Sequence, residues 1–183
     1  MDWYVLFKFP HVASAVIWIG GAFVMIMLGV KAERAKDDAE IVSVVRQVAW
    51  AADRIYVAAS VATLLFGLIV AWLGALWGNL WVILGLVGVA ATIGLGVIVL
   101  TPRAKAVEAG YKAGGVTPGV VALCREMLTI AKFDSVLLFV VIADMVLKPE
   151  GNDWAVLVVM AIVLLAAAAV WLTPVFRKPA VAA

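Results

Sequence analysis

Apolar residues run almost unbroken from residue 3 to residue 30, then give way to a stretch dense in charge. The alternation repeats along the chain. About 20 apolar residues in a helix cross the hydrocarbon core of a bilayer. The pattern therefore predicts five membrane spans, over residues 3–30, 55–76, 80–100, 127–147 and 154–172. The fourth is the most polar, because Asp134 and Asp144 interrupt it, and its apolar run from Phe133 to Leu147 reaches span length only when extended back to Met127. Between the first two spans, Ile41, Val44, Val45 and Val48 recur at helical spacing opposite Glu40, Ser43, Arg46 and Gln47. That spacing predicts an amphipathic helix over residues 38–50, either an extension of a span or a helix lying on the membrane surface. Trp77-Gly78-Asn79 leaves room only for a tight turn, so spans two and three are expected to be antiparallel neighbours. The second long connection, residues 101–132, opens with Thr101-Pro102 and carries Gly110, Gly114 and Gly115. Thr117 before Pro118 reads as an N-cap followed by proline at the first helical position, starting a second amphipathic segment over residues 117–130. The expectation is one all-α integral membrane domain over residues 1–183, its first four spans forming an antiparallel bundle.

Composition agrees. Of 183 residues, 67% are hydrophobic, against roughly half in soluble domains. Mean hydropathy is +1.15. Cys124 is the single cysteine, so an intrachain disulfide or a cysteine metal cluster is impossible. A net charge of +2, with no basic patch interleaved with aromatics, argues against nucleic acid. Glycine-rich phosphate loops and a serine nucleophile elbow are absent. The first run lacks a basic leader and a small-residue cleavage pattern, so it is expected to persist as a helix.

Lys and Arg in the short loops set the expected orientation. Lys31, Arg34, Lys36, Arg46 and Arg54 lie between the first two spans, and Arg103, Lys105, Lys112, Arg125 and Lys132 between the third and fourth. Arg177 and Lys178 follow the fifth. With five spans all three groups share one side. This predicts a bacterial inner-membrane protein with its N-terminus outside and its C-terminus in the cytoplasm. Trp3, Tyr4, Trp72, Trp77, Trp81 and Trp154 then form the outer aromatic belt.

Polar groups at membrane depth are costly and mark candidate sites. His11 is the only histidine, and it sits with Lys8 inside the first apolar run. A neutral imidazole offers a lone pair to iron, copper or zinc. The plainer alternative is a hydrogen bond to a neighbouring helix. At 1.5 Å per residue His11 lies about 10–13 Å into the first helix, and Asp144 about 6 Å below the outer end of the fourth. Lys8, His11 and Asp144 thus fall in one layer. Asp144 is expected either to pair with Lys8 or to accept a proton from the second nitrogen of His11, as partners of ligating imidazoles do. Trp18 lies deep, and Gly20-Gly21 beside it is a place for close helix packing. Met145 and Met160 lie at the same outer depth as candidate thioether donors, with packing as their ordinary use. Asp134 is expected to pair with Lys132 near the inner interface.

These residues carry a resemblance. Phe7-Lys8-Phe9-Pro10-His11, with Ser14, Trp18, Gly20 and Gly21, resembles the first helix of a bacterial superfamily. It includes the haem-containing, oxygen-independent protoporphyrinogen oxidases and the membrane domain of the copper-resistance D proteins. Asp144-Met145-Val146-Leu147-Lys148-Pro149 is similar to the Lys-Pro ending of the corresponding fourth helix there. The chain most resembles an uncharacterised family of predicted bacterial integral membrane proteins within that group. The resemblance implies His11 as an axial ligand of b-type haem, with Lys8 and Asp144 beside it and Trp18 and Gly21 shaping the pocket. The oxidases also carry a lysine soon after a tryptophan in the third helix. Here Val82, Ile83 and Leu84 follow Trp81, with no lysine in that span. The implied function is thus haem binding with a redox-related role, and enzymatic activity is left open. The alternative is a non-catalytic accessory subunit, in a homo-oligomer or a larger membrane complex with the lipid bilayer as its medium. Copper handling is a third reading, which the charge of Lys8 so near His11 opposes.

Overall fold

The structure is a computed structural model that describes residues 2–177, so Lys178 of the basic tail lies outside the described residues. Among these residues there is no strand, and five helical rods follow one another in alternating direction. The first is α1 (Trp3–Ala35), capped by the Asp2 carboxylate on the amide of Tyr4. Lys36 ends it in the left-handed conformation, φ 56°, and Asp37 caps α2 (Asp38–Ala51). A π-helical turn, Ala52–Tyr56, carries α2 straight into α3 (Val57–Leu73). After a six-residue connection, α4 (Leu80–Gly94) passes through a second π turn, Leu95–Leu100, into α5 (Thr101–Gly114). Then come α6 (Pro118–Leu147), α7 (Trp154–Ala167), a third π turn, Ala168–Leu172, and α8 (Thr173–Arg177).

The amphipathic segment over residues 38–50 is therefore an extension of a span, not a helix lying on a surface. The connection expected to open at Thr101-Pro102 is helical instead. Proline removes one ladder donor and crowds the carbonyl four residues back. Here the ladder has already widened into the π turn, and the Thr101 hydroxyl donates to the Gly96 carbonyl five residues back at 2.9 Å. Thr117 caps α6 as expected, its hydroxyl accepting from the Val120 amide at 3.4 Å.

Four rods are long and apolar enough to cross a membrane: Trp3–Ala35, Asp38–Leu73, Leu80–Gly114 and Trp154–Phe176. The α6 rod does not meet that measure, since Lys132, Asp134 and Asp144 break its apolar run. It nevertheless packs along α1 and α4 and carries α7 on its outer side. Expected pairings shift here as well. Lys132 reaches Glu33 on α1 at 2.6 Å, and Asp134 accepts from the Thr92 hydroxyl of α4. The Lys132–Asp134 pair does not form, because the helix sends the two side chains toward different neighbours.

The densest core lies at the charged end. Ala32, Ile41, Val42, Val45, Val107 and Cys124 are almost or wholly buried where α1, α2, α5 and α6 converge. Burial pushes the Cys124 thiol up to about 11, so it stays protonated. Around this core, Arg103 binds Glu126 at 2.7 Å and Arg125 binds Asp38 at 3.0 Å. Arg46 binds Glu108 at 2.8 Å, with its guanidinium 4.0 Å from the Tyr111 ring centre. The Arg46 hydrogen bond, helped by Lys112, holds the Glu108 carboxyl below the usual carboxylate range. A lowered native pKa contributes stability that is complete above the unfolded value, about 4.5, and is lost as pH falls through the native one. Thermal melts between pH 3 and pH 7 are expected to show a steeper acid-side loss in the parent than in Glu108→Gln. Equal slopes would remove this pair from the acid response.

Candidate functional site

Toward the other end the rods separate into two pairs, α1 with α3 and α4 with α6. Between the pairs lies a cavity of about 540 Å³. Its wall is built mostly of aliphatic and aromatic side chains, and among the described residues His11 is the only ionisable one on it.

The residues of α1 that face α3 are spaced at helical intervals: His11, Ser14 and Trp18. His11 Nδ1 lies 2.8 Å from the Thr63 carbonyl oxygen. A carbonyl only accepts, so Nδ1 carries the proton and donates. A neutral imidazole in that tautomer keeps its lone pair on Nε2, and Nε2 has no protein partner among the described residues. The carbonyl can take this second donor because it has two lone pairs. Gly67, one turn along α3, leaves it uncovered: a Cβ at Gly67 would stand 2.9 Å from His11 Cε1 and 3.0 Å from Nδ1. The Ser14 hydroxyl donates to the Pro10 carbonyl at 2.7 Å and meets the Thr63 hydroxyl at 3.1 Å, closing a polar seam between α1 and α3. Thr63 and Gly67 were not singled out from sequence. Their signal was present, since Ser60, Thr63 and Gly67 place small and polar residues on one face of an otherwise apolar helix.

The remaining expected site residues divide. Trp18 is buried against Ala59 and Leu138 and lines the cavity, as does Met145. Met160 is not on its wall. Gly20 lines the cavity with open space beside it, whereas Gly21 faces Tyr56, whose ring occupies the place of a side chain. Close packing thus occurs at Gly21, away from the cavity. Lys8 is exposed, with its ammonium 5.7 Å from the Tyr4 ring centre. It makes no ion pair with Asp144. Asp144 is 2% exposed and both its carboxylate oxygens lack a partner. Its Oδ2 lies against Gly85 of α4, so it does not reach the imidazole either. The reason is geometric: His11 turns to α3, Asp144 turns to α4, and the cavity separates the two helix pairs. Lys148, one turn beyond Asp144, sits over the Trp81 ring at 5.3 Å instead.

Helical rods of this length and hydropathy around a largely apolar cavity define a multi-pass integral membrane protein. More specifically, the chain belongs to the family described as predicted integral membrane protein (DUF2269), whose model matches residues 5–149. The matched stretch covers the four rods around the cavity, except the first two residues of α1, and stops before α7. No curated protein and no solved structure matches the chain.

Proposed function

We propose that this is a bacterial inner-membrane protein that binds b-type haem through His11 in a redox-related role. The observation that carries the reading is the hydrogen bond from His11 Nδ1 to the Thr63 carbonyl. It fixes the tautomer, orients the ring and raises the basicity of Nε2, the usual arrangement behind a metal-ligating histidine. The cavity volume falls within the roughly 300–1,000 Å³ of small-molecule and cofactor sites. The donor set also selects among metals. Among the described residues no group of three or more His, Cys, Asp or Glu side chains comes together. A lone imidazole suits an iron already held by a macrocycle better than a bare ion. A haem bound there supplies one-electron chemistry. Thr63 and Gly67 set the ligand, Trp18 walls the cavity, and exposed Lys8 lies one turn toward the aqueous side, where propionates would seek a cation. No residue on α4 takes the place of the oxidase lysine, so no porphyrinogen reaction is assigned.

The same proposal counts α6 as a fifth span, because it lies within the bundle beside α1 and α4. The basic segments then share one side, giving an outside N-terminus and a cytoplasmic C-terminus.

The test is an absorption spectrum of the detergent-purified chain, expressed with haem supplied, in oxidised and dithionite-reduced states. A Soret band that shifts on reduction is expected. A folded but colourless protein would overturn the haem reading, and a colourless protein recovered with stoichiometric partners would identify an accessory subunit instead.

A further inference from the structure

Consecutive helices joined by a short turn ordinarily pack on each other, yet α3 and α4 do not. The gap between them holds more than the cavity beside His11. A second hollow runs on toward the charged end, lined by Leu64, Leu86, Val89, Ile93, Val97 and Ile98. Leu64, Leu86 and Val89 border both spaces, so the two adjoin. Val97 and Ile98 are 64% and 74% exposed, so the hollow opens sideways onto the outer surface of the bundle. From Leu86 to Ile98 it extends about 18 Å along α4 and the π turn that follows it. That exceeds half of the roughly 30 Å hydrocarbon thickness of a bilayer. A groove of that length has room for a linear hydrocarbon chain.

The lining also restricts the head group. Among the described residues no charged side chain borders the groove, and His11 is the only ionisable residue bordering the cavity. A phosphate or carboxylate head drawn inside would be an unpaired buried charge, which is strongly unfavourable. An uncharged hydroxyl or carbonyl head brings no such charge into the cavity, whose wall includes Trp18 and Trp81. We propose that the α3–α4 gap is a lateral portal for a lipid-soluble molecule with an uncharged, oxygen-bearing head and one long hydrocarbon tail. The head lies in the cavity and the tail along the groove. This rests on the cavity being a ligand site, but not on the ligand at His11 being haem.

The probe is a diazirine-bearing hexadecanol, photolysed with the full chain in phosphatidylcholine nanodiscs, with adducts mapped by mass spectrometry. A diazirine-bearing phosphatidylcholine serves as the comparison. An added Cβ at Gly94, which borders the groove, meets no atom within 4 Å, so a side chain can start there, and Gly94→Phe is the variant chosen to fill the groove. Ala90→Phe does the same from the next turn and replaces it if the first variant fails to fold. The alcohol is expected to mark Ile93 and Val97 about tenfold over lipid-facing Ile162 on α7, the preference that 1.4 kcal/mol confers. Either phenylalanine should abolish that preference. Equal marking of the groove and of α7, indifference to the phenylalanine, or equal marking of the groove by phosphatidylcholine would each overturn the portal and leave ordinary bilayer lipid there. A Soret band with uniform labelling defeats the portal alone. Groove labelling in a colourless protein defeats the haem reading alone.

Discussion

His11→Ala protein, expressed with haem supplied, is expected to lose the Soret band completely while eluting as the parent does. The more searching variant is Gly67→Val, which leaves the histidine in the chain. A side chain at Gly67 would press on Cε1 and Nδ1 of the imidazole. The ring is a free-ended group and can swing away, so the fold should survive. Its bond to the Thr63 carbonyl cannot survive that movement. Loss of such an orienting partner typically weakens ligation by roughly 10- to 100-fold. Gly67→Val should therefore bind haem that much more weakly by titration, and Gly20→Ala, with open space around the added methyl, should bind like the parent. Full haem content in Gly67→Val would mean that the Thr63 contact does not orient the ligand. A retained, unshifted band in His11→Ala would remove His11 from the site.

The contrast between Gly67 and His11 shows what the sequence made legible. A lone histidine in an apolar run is conspicuous on its own. A glycine in a membrane helix is not, and its importance depends on which neighbour it faces. Helical periodicity assigns a residue to a face of its own helix; it does not say which helix lies opposite. That is why Lys8, His11 and Asp144 could be grouped by expected depth but not by contact. Depth follows from 1.5 Å per residue, while the turn of His11 toward α3 and of Asp144 toward α4 depends on how four rods are arranged. The tight turn after α3 was legible too, but adjacency in the chain did not become packing, and the gap it left is the cavity. Thr117 as a cap and the helical spacing of Ile41, Val44, Val45 and Val48 were readable because each is set by local geometry, but the burial of Val42 and the continuation of α2 into α3 were not. Pro102 misled for a local reason as well, since the π turn before it was invisible in the pattern.

The largest stability effect is expected far from the cavity, at Ile41. Within hydrocarbon, helices gain little from the hydrophobic effect, since lipid tails are as apolar as their side chains. Past the apolar runs, water is the competitor, and burial there stabilises fully. The structure follows this division: Ile41 is 0% exposed in the core between α2, α5 and α6, while Ile162 on α7 is 59% exposed on the lipid-facing side. Ile41→Ala should cost about 2–5 kcal/mol, through lost burial and the void left behind. At this chain length each kcal/mol lowers the melting temperature by roughly 2–4 °C. Ile162→Ala should stay within about 0.5 kcal/mol of the parent. Melts of the two variants in one detergent compare them directly, and equal losses would show that the charged end does not hold the bundle. The expected inequality explains how the two helix pairs can stay apart around a cavity without collapsing. Their attachment lies at the other end, in a water-driven core tied by Arg46–Glu108 and Lys132–Glu33, so the end that carries His11 is free to be open.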